Sequence, residues 1–213
     1  AHINLLNPFA FFGLFFIFTG LAFKLAVAPF HSWAPDVYQG ANALLSVYMS
    51  SLVKFSVVIV FIRIICSLNL QTVPVGFVHF FSALAVVSIV IGSLFGLVQS
   101  SVKRILAYSS VANAGYFCLG FAALIQNPNN IIAKQALFAY AVIYAILSIG
   151  AFNVVAYFED HNREDLLREE LAGLGARKPA AAIALSVFMF GLAGIPPLAG
   201  FFGKFLLLLS VVG

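Results

Sequence analysis

Residues 41–67 read ANALLSVYMSSLVKFSVVIVFIRIICS, an apolar run with Lys54 near its middle. A helix needs about 20 mostly apolar residues to cross a bilayer, because the hydrocarbon core is about 30 Å thick and each residue rises about 1.5 Å. This run is long enough to cross. It therefore predicts a transmembrane helix that carries a cation deep in the membrane.

The rest of the chain repeats this pattern. Of the 213 residues, 63% are hydrophobic and 8% are charged, whereas a soluble domain has roughly 25% charged residues. Polar turns divide the chain into six predicted spanning helices, at about 8–30, 41–67, 75–98, 102–125, 131–158 and 180–210, with a hydrophilic loop at 159–178. We expect an all-α, polytopic transmembrane bundle that forms one domain over residues 1–213.

The first and the last predicted helices contain helix breakers. Proline removes a backbone donor and clashes with the preceding turn, and glycine weakens a helix interior. A break at membrane depth is tolerated only where the backbone lines a cavity or packs on protein. We therefore expect these two helices to be discontinuous. The breaking residues are Pro29 in the first helix and Gly194, Pro196 and Pro197 in the last.

Three lysines, Lys24, Lys54 and Lys204, lie inside predicted spans at positions from which they cannot easily reach an interface. Each costs about 2.5 to 3.5 kcal/mol at the centre of a membrane helix, so each should face protein or water. All seven acidic residues lie outside the predicted spanning helices. Because desolvation disfavours a charged lysine without a counter-charge, we expect these lysines to exchange protons and to influence one another. Two alternatives stay open: another chain or a missing segment supplies a carboxylate, or some of the lysines are interfacial anchors.

Three further residues are candidate relays. His31 has a side chain that titrates near neutral pH, and it either relays protons or caps the end of the first helix. Tyr108 and Asn113 belong to a polar stripe in the fourth helix, together with Ser109 and Ser110. This stripe either holds a file of waters or forms hydrogen bonds between helices.

No metal-ligating, flavin, nucleotide or iron–sulfur pattern occurs in the sequence, so no metal or cofactor is expected to bind this chain. The basic residues are dispersed, which argues against nucleic acid as a partner. Most basic loop residues belong to the turn at Lys103 and Arg104 and to the loop 159–178. These two loops and the loop 31–40 are predicted to share the cytoplasmic or matrix side.

Four stretches together carry a family resemblance. They are FKLAVAPFHSWAPDVYQGA at 23–41, VKRILAYSS at 102–110, LSIGAF at 147–152 and LAGIPPLAGFFGKF at 192–205. In this order they resemble subunit 2 of respiratory complex I, an antiporter-like subunit. The chain resembles only the seventh to twelfth helices of that family. It also has Asn113 where relatives often have histidine, and an asparagine cannot titrate.

The resemblance implies a proton-pumping subunit of NADH:ubiquinone oxidoreductase that has no redox chemistry of its own. Lys24 would be the half-channel lysine, Lys54 the connecting lysine and Lys204 the lysine nearest the exit. NADH, FMN, iron–sulfur clusters and ubiquinone would bind other subunits. The rival hypotheses are a stand-alone cation/proton antiporter and a structural remnant that no longer pumps.

The resemblance also implies partners and a location. The partners would be other membrane-arm subunits, including other antiporter-like ones, and membrane lipids. A second chain would supply the earlier helices and an acidic partner for Lys24. The phenylalanine count of 24 points to an organellar genome, so we expect the mitochondrial inner membrane, with the bacterial plasma membrane or the thylakoid as alternatives.

Overall fold

The computed structural model describes residues 8–67, 75–159 and 165–212. The predicted turn between the second and third helices, at 68–74, lies outside the described residues, as do residues 160–164 of the predicted hydrophilic loop. The helices are α1 (Pro8–Leu25), α2 (Trp33–Gly40), α3 (Ala43–Ser50), α4 (Leu52–Ser67), α5 (Val75–Leu97), α6 (Val102–Gln126), α7 (Ile131–Phe158), α8 (Leu174–Arg177), α9 (Pro179–Ala193) and α10 (Ala199–Val212). A short 3-10 helix, Arg168–Leu171, precedes α8.

Within these ranges, four helical segments are long and apolar enough to cross a membrane. They are Leu44–Ser67, Gly76–Leu97, Val102–Gln126 and Ile131–Phe158. The apolar helices Phe12–Leu25, Pro179–Ala193 and Ala199–Val211 are shorter, and they belong to the two predicted crossings that contain helix breakers. The predicted all-α transmembrane bundle is confirmed.

Both predicted discontinuities are present. The first span was predicted to reach residue 30, but α1 ends at Leu25, because Ala26 adopts a left-handed φ of 58°. The last span breaks at Gly194, whose φ of 85° ends α9. Pro196 and Pro197 lack the backbone donors that would continue the helix. The chain resumes a helical path only at Ala199.

The second predicted span also differs in detail, since Ser51 separates α3 from α4. The hydroxyls of Ser50 and Ser51 both donate to the carbonyl oxygen of Val47. A serine that bonds to the carbonyl of the preceding turn competes with the regular backbone ladder and bends a helix. This local competition is the physical reason for the interruption.

Helices α5 and α6 pack closely against each other. A β-carbon added at Gly92 would come within 2.7 Å of the Tyr108 carbonyl oxygen, and one at Gly115 would come equally close to the Ala85 carbonyl oxygen. Only glycine permits such a close backbone approach. The short link between the two helices, 98–101, makes them antiparallel neighbours, as the sequence predicts.

The three predicted loops of one face meet at one end of the bundle. Arg104 Nη1 lies 2.9 Å from Asp36 Oδ1, and Asp165 accepts hydrogen bonds from Gln39 at 2.6 Å and from Ser101 at 2.7 Å. These contacts join α2, the start of α6 and the segment after α7. We call this polar region the loop junction.

A buried ion pair reinforces the loop junction. Lys103 Nζ lies 2.6 Å from Glu159 Oε1 in an ionic contact that lacks hydrogen-bond alignment, and the two side chains are 2% and 13% exposed. Lys103 Nζ also donates to the carbonyl oxygen of Ala41 at 3.0 Å. Because a charge buried without its counter-charge is costly, each member of the pair depends on the other.

We expect Glu159→Gln to destabilise the protein by about 3 kcal/mol, because it removes the charge of the carboxylate that contacts the buried Lys103 ammonium. Thermal unfolding in detergent measures the effect. Glu169→Gln is the matched control, since Glu169 is exposed on the 3-10 helix, and its effect should stay within about 0.5 kcal/mol. Equal unfolding temperatures for the two variants would contradict a stabilising ion pair.

Candidate functional site

The Lys54 ammonium is buried against α6. Its side chain lies in α4, and the residue is 1% exposed. Nζ donates to the carbonyl oxygen of Ser110 at 3.0 Å and also to the Ser110 hydroxyl. The centroid of the Tyr144 ring lies 6.0 Å from Nζ. Within the described part of the chain, no carboxylate forms an ion pair with Lys54.

Two tyrosines of α7 extend this polar site. The Tyr144 hydroxyl donates to Ser110 Oγ at 3.1 Å, and the Tyr140 hydroxyl donates to Asn113 Oδ1 at 2.6 Å. Both tyrosines are 2% exposed. Because residues four apart lie on one face of a helix, the two hydroxyls reach successive turns of α6. The result is a ladder of buried polar contacts between α6 and α7.

Asn113 holds a central position in this ladder. Its side-chain nitrogen donates to the carbonyl oxygen of Ser109 at 2.9 Å, while its oxygen accepts from Tyr140. Asn113 thus joins α6 to α7 through a neutral side chain. A β-carbon at Gly203 would lie 2.6 Å from the Tyr140 ring, so glycine there allows α10 to pack directly on this tyrosine.

Lys204 lies at the break between α9 and α10. Its Nζ donates to the carbonyl oxygens of Leu192 at 2.7 Å and Ala193 at 3.1 Å. These carbonyls end α9, where the helix dipole favours a cation. A side chain at Gly194 would collide with the Lys204 side chain, so the glycine that breaks the helix also makes room for this lysine.

An open cavity of about 380 Å³ connects Lys204 with the polar ladder. Asn113, Tyr116, Ser109 and Lys204 are among its lining residues, and Lys204 Nζ lies 4.7 Å from the centre of the Tyr116 ring. Polar groups that line a space of this size can bind ordered waters. The cavity therefore provides room for waters between Asn113 and Lys204.

The remaining candidate residues lie apart from this ladder. Lys24 occupies the last turn of α1 and is exposed; it forms no hydrogen bond or ion pair with the other described residues. His31 is half-buried, its Nδ1 has no hydrogen-bond partner, and its ring centre lies 6.5 Å from that of Tyr108. The predicted residues thus divide into a connected group around Lys54, Asn113 and Lys204 and a separate group.

The sequence contained a signal for the ladder that composition alone does not reveal. Tyr140, Tyr144 and Ser148 recur at intervals of four in an otherwise apolar helix, which places them on one face. The fourth predicted helix carries its own polar stripe at Ser110 and Asn113. Facing polar stripes on neighbouring helices predict hydrogen bonds between them.

Comparison with known proteins places these features in a family. The family model for the transmembrane region of NADH:quinone oxidoreductase and Mrp antiporter subunits matches residues 1–213. NADH-quinone oxidoreductase subunit N of Bdellovibrio bacteriovorus is 36% identical over 205 residues, covering 95% of this chain and 41% of its own length. Subunit N 2 of Syntrophobacter fumaroxidans is 42% identical over 207 residues, covering 97% and 42%.

Solved structures agree with the sequence comparison. A chain of the respiratory complex I of Thermus thermophilus superimposes with a TM-score of 0.81 at 34% identity, covering 97% of this chain and 43% of that one. A chain of the Mrp complex of Dietzia sp. gives a TM-score of 0.78 at 25% identity, covering 90% and 34%. The chain thus spans about two fifths of the length of the curated relatives quoted above.

We expect Tyr140→Phe to cost about 1 kcal/mol of stability, because it leaves the buried Asn113 oxygen without its donor. Tyr48→Phe is the control, since Tyr48 is 54% exposed and should tolerate the loss of its hydroxyl. Thermal unfolding of both variants in detergent checks the difference. A Tyr140→Phe variant as stable as Tyr48→Phe would show that the Tyr140 hydroxyl adds nothing to the ladder.

Proposed function

Since the chain belongs to the transmembrane family of NADH:quinone oxidoreductase and Mrp antiporter subunits, we propose that it translocates protons in the membrane arm of a respiratory NADH:quinone oxidoreductase. The observation that carries this proposal is Lys54. An ammonium that is 1% exposed and bonded only to neutral groups has little to hold its charge. A lysine in such surroundings can lose and regain a proton.

The next step of the proposed path leads from Lys54 to Lys204. Ser110 contacts Lys54 directly, and the adjacent Ser109 and Asn113 line the cavity that contains Lys204. Hydroxyl groups and waters accept one proton and release another, so this sequence of groups is suited to proton conduction. Asn113 cannot titrate, and its role in the path is therefore to orient its neighbours.

Lys24 is the proposed contact with a second polypeptide or with a missing segment. Its ammonium is exposed at the end of an apolar helix, and an exposed cation in a lipid environment is costly. A carboxylate supplied from outside the described residues would neutralise it. Because the relatives quoted above are more than twice as long as the matched region, there is enough additional sequence in the family to supply one.

The redox reaction is assigned to other subunits. In this proposal NADH, FMN, iron–sulfur clusters and ubiquinone bind elsewhere in the complex, and this chain contacts further antiporter-like subunits and lipids. The relatives named above are bacterial, which supports a bacterial plasma membrane. The mitochondrial inner membrane remains our proposal for the protein's location, on the basis of its composition.

A second candidate function is cation/proton exchange without electron transfer. The likeness to a chain of the Mrp complex at a TM-score of 0.78 favours it, and the buried lysines would serve exchange equally well. The two functions differ in their energy source. Proton transport driven by NADH oxidation supports the first, while sodium- or potassium-driven proton exchange by the isolated carrier supports the second. A structural remnant would show neither activity.

We expect Lys54→Met to lower the flux through this path by about 100-fold, the scale of a lost proton-transfer group. Methionine keeps most of the side-chain length and removes the titratable amine. The measurement is the number of protons transported per NADH oxidised in sealed vesicles. Lys178→Met is the control, since Lys178 is an exposed loop lysine.

In the whole assembly the loss should appear as a lower proton-to-NADH ratio at an unchanged amount of assembled complex, because other antiporter-like subunits keep pumping. A ratio for Lys54→Met equal to that of Lys178→Met would refute proton transport through Lys54.

A further inference from the structure

The Tyr38 hydroxyl is a buried polar group without a hydrogen-bond partner. The residue is 0% exposed, and its oxygen forms no hydrogen bond in the described structure. The ring is held by edge-to-face contacts, with centroids 6.2 Å from Trp33 and 5.8 Å from Phe152. Buried hydroxyls nearly always have a partner, so an exception of this kind calls for a functional explanation or a bound water.

The groups around this hydroxyl are those that contact Lys54. Burial raises the pKa of the Tyr38 hydroxyl above its usual range; Tyr144 raises it further, and Ser110 acts in the opposite direction. The ring of Tyr38 packs against Phe152 of α7. Phe152 follows Tyr144 and Ser148 at intervals of four and so lies on the same face of that helix. Tyr38 therefore packs on the face of α7 that also carries the tyrosine beside Lys54, and we call this buried polar region the lysine pocket. Tyr38 stays neutral there, and a neutral hydroxyl can accept one proton while releasing another. Ser110 is also the group to which Lys54 donates.

Two serines add to the polar character of the same region. Ser148, one turn beyond Tyr144 on α7, donates to Ser50 at 2.9 Å. The two serines are 3% and 0% exposed, respectively. Waters are retained in protein interiors where several polar atoms converge. The buried region around Tyr38 and Ser110 thus gathers several polar groups of the kind that retain water in protein interiors.

Helix α2 connects this pocket to the loop junction. Asp36 and Gln39 of α2 contact Arg104, and Gln39 also contacts Asp165, while Tyr38 is directed into the interior. The Ser46 hydroxyl donates to the Tyr38 carbonyl oxygen at 3.0 Å, which ties α2 to α3. One short helix therefore presents a polar face to the loop junction and a hydroxyl to the lysine pocket.

We propose that Tyr38 conducts protons from the loop junction to Lys54. The inference rests on the proposed function. A water on the loop side takes up a proton from the solvent there and transfers one to the Tyr38 oxygen, as the original hydroxyl proton moves on to Ser110 through one further water. Ser110 passes its own proton to the neutral Lys54 amine. Each oxygen gains one proton and loses one, and the amine becomes an ammonium.

If the Tyr38 hydroxyl had only a structural role, its removal would leave proton transport unchanged in an assembled complex. Because the Tyr38 oxygen makes no hydrogen bond, its removal breaks none, and phenylalanine keeps the ring contacts with Trp33 and Phe152. Tyr38→Phe should therefore assemble at wild-type levels. Any loss of proton transport in this variant then reports on conduction rather than on folding.

The test compares four variants in the complete respiratory complex in sealed vesicles: Tyr38→Phe, Ser110→Ala, Lys54→Met and the exposed-tyrosine control Tyr48→Phe. The share of wild-type proton transport that Lys54→Met loses is the reference for the other variants. We expect Tyr38→Phe and Ser110→Ala to lose at least half of that share. We also expect a larger ratio of transport rates in H2O and D2O than in wild type, because proton delivery to Lys54 becomes rate-limiting.

The possible results separate the two proposals. If Lys54→Met loses transport while Tyr38→Phe matches Tyr48→Phe in transport and isotope ratio, the Tyr38 route is wrong and the proposed function stands. If Tyr38→Phe lowers assembly, Ser110→Ala decides, and full transport in that variant overturns the route. If Lys54→Met itself loses nothing, the proposed function fails and this inference fails with it.

Discussion

Placing an ammonium group inside an apolar bundle is the constraint on which the rest of this structure depends. Lys54 is 1% exposed, and desolvation of a charge is costly unless polar groups surround it. The bundle meets this requirement with neutral groups, chiefly Ser110 and the ring of Tyr144. Charge neutralisation by carboxylates is confined, among the described residues, to the loop junction, where Lys103 meets Glu159. In the proposed function, this separation leaves the interior lysine free to exchange its proton.

Much of the fold follows from local sequence. Apolar runs of about 20 residues predict spans because the membrane thickness requires them, and prolines and glycines predict breaks because they remove or weaken backbone hydrogen bonds. The breaks at Ala26 and Gly194 lie close to the lysines that the sequence singled out. The early end of α1 and the interruption at Ser51 were missed, since a left-handed alanine and two back-bonding serines give no signal in hydropathy.

The candidate site was only partly predictable, because contacts between helices depend on how the helices rotate about their axes. Lys54, Asn113 and Lys204 were identified from the cost of burying them and from the polar stripe. Tyr38, Tyr140 and Tyr144 were not, since tyrosine is common in apolar helices and a single one carries no specific signal. The four-residue spacing of Tyr140 and Tyr144 becomes informative only when α7 is known to face α6. The proposed carboxylate partner of Lys24 could not be located from the sequence, since no described residue supplies one.

The proposed function requires a continuous series of waters between Lys54 and Lys204. Observation of these waters in the assembled complex tests this requirement most directly. A cryo-electron microscopy map that resolves waters should show an unbroken series of them joining Ser110, the cavity beside Asn113 and Lys204. It should also show a carboxylate from a neighbouring segment against Lys24. Dry apolar packing between Asn113 and Lys204, with the lysine ammonium groups extended to lipid headgroups, would contradict the account.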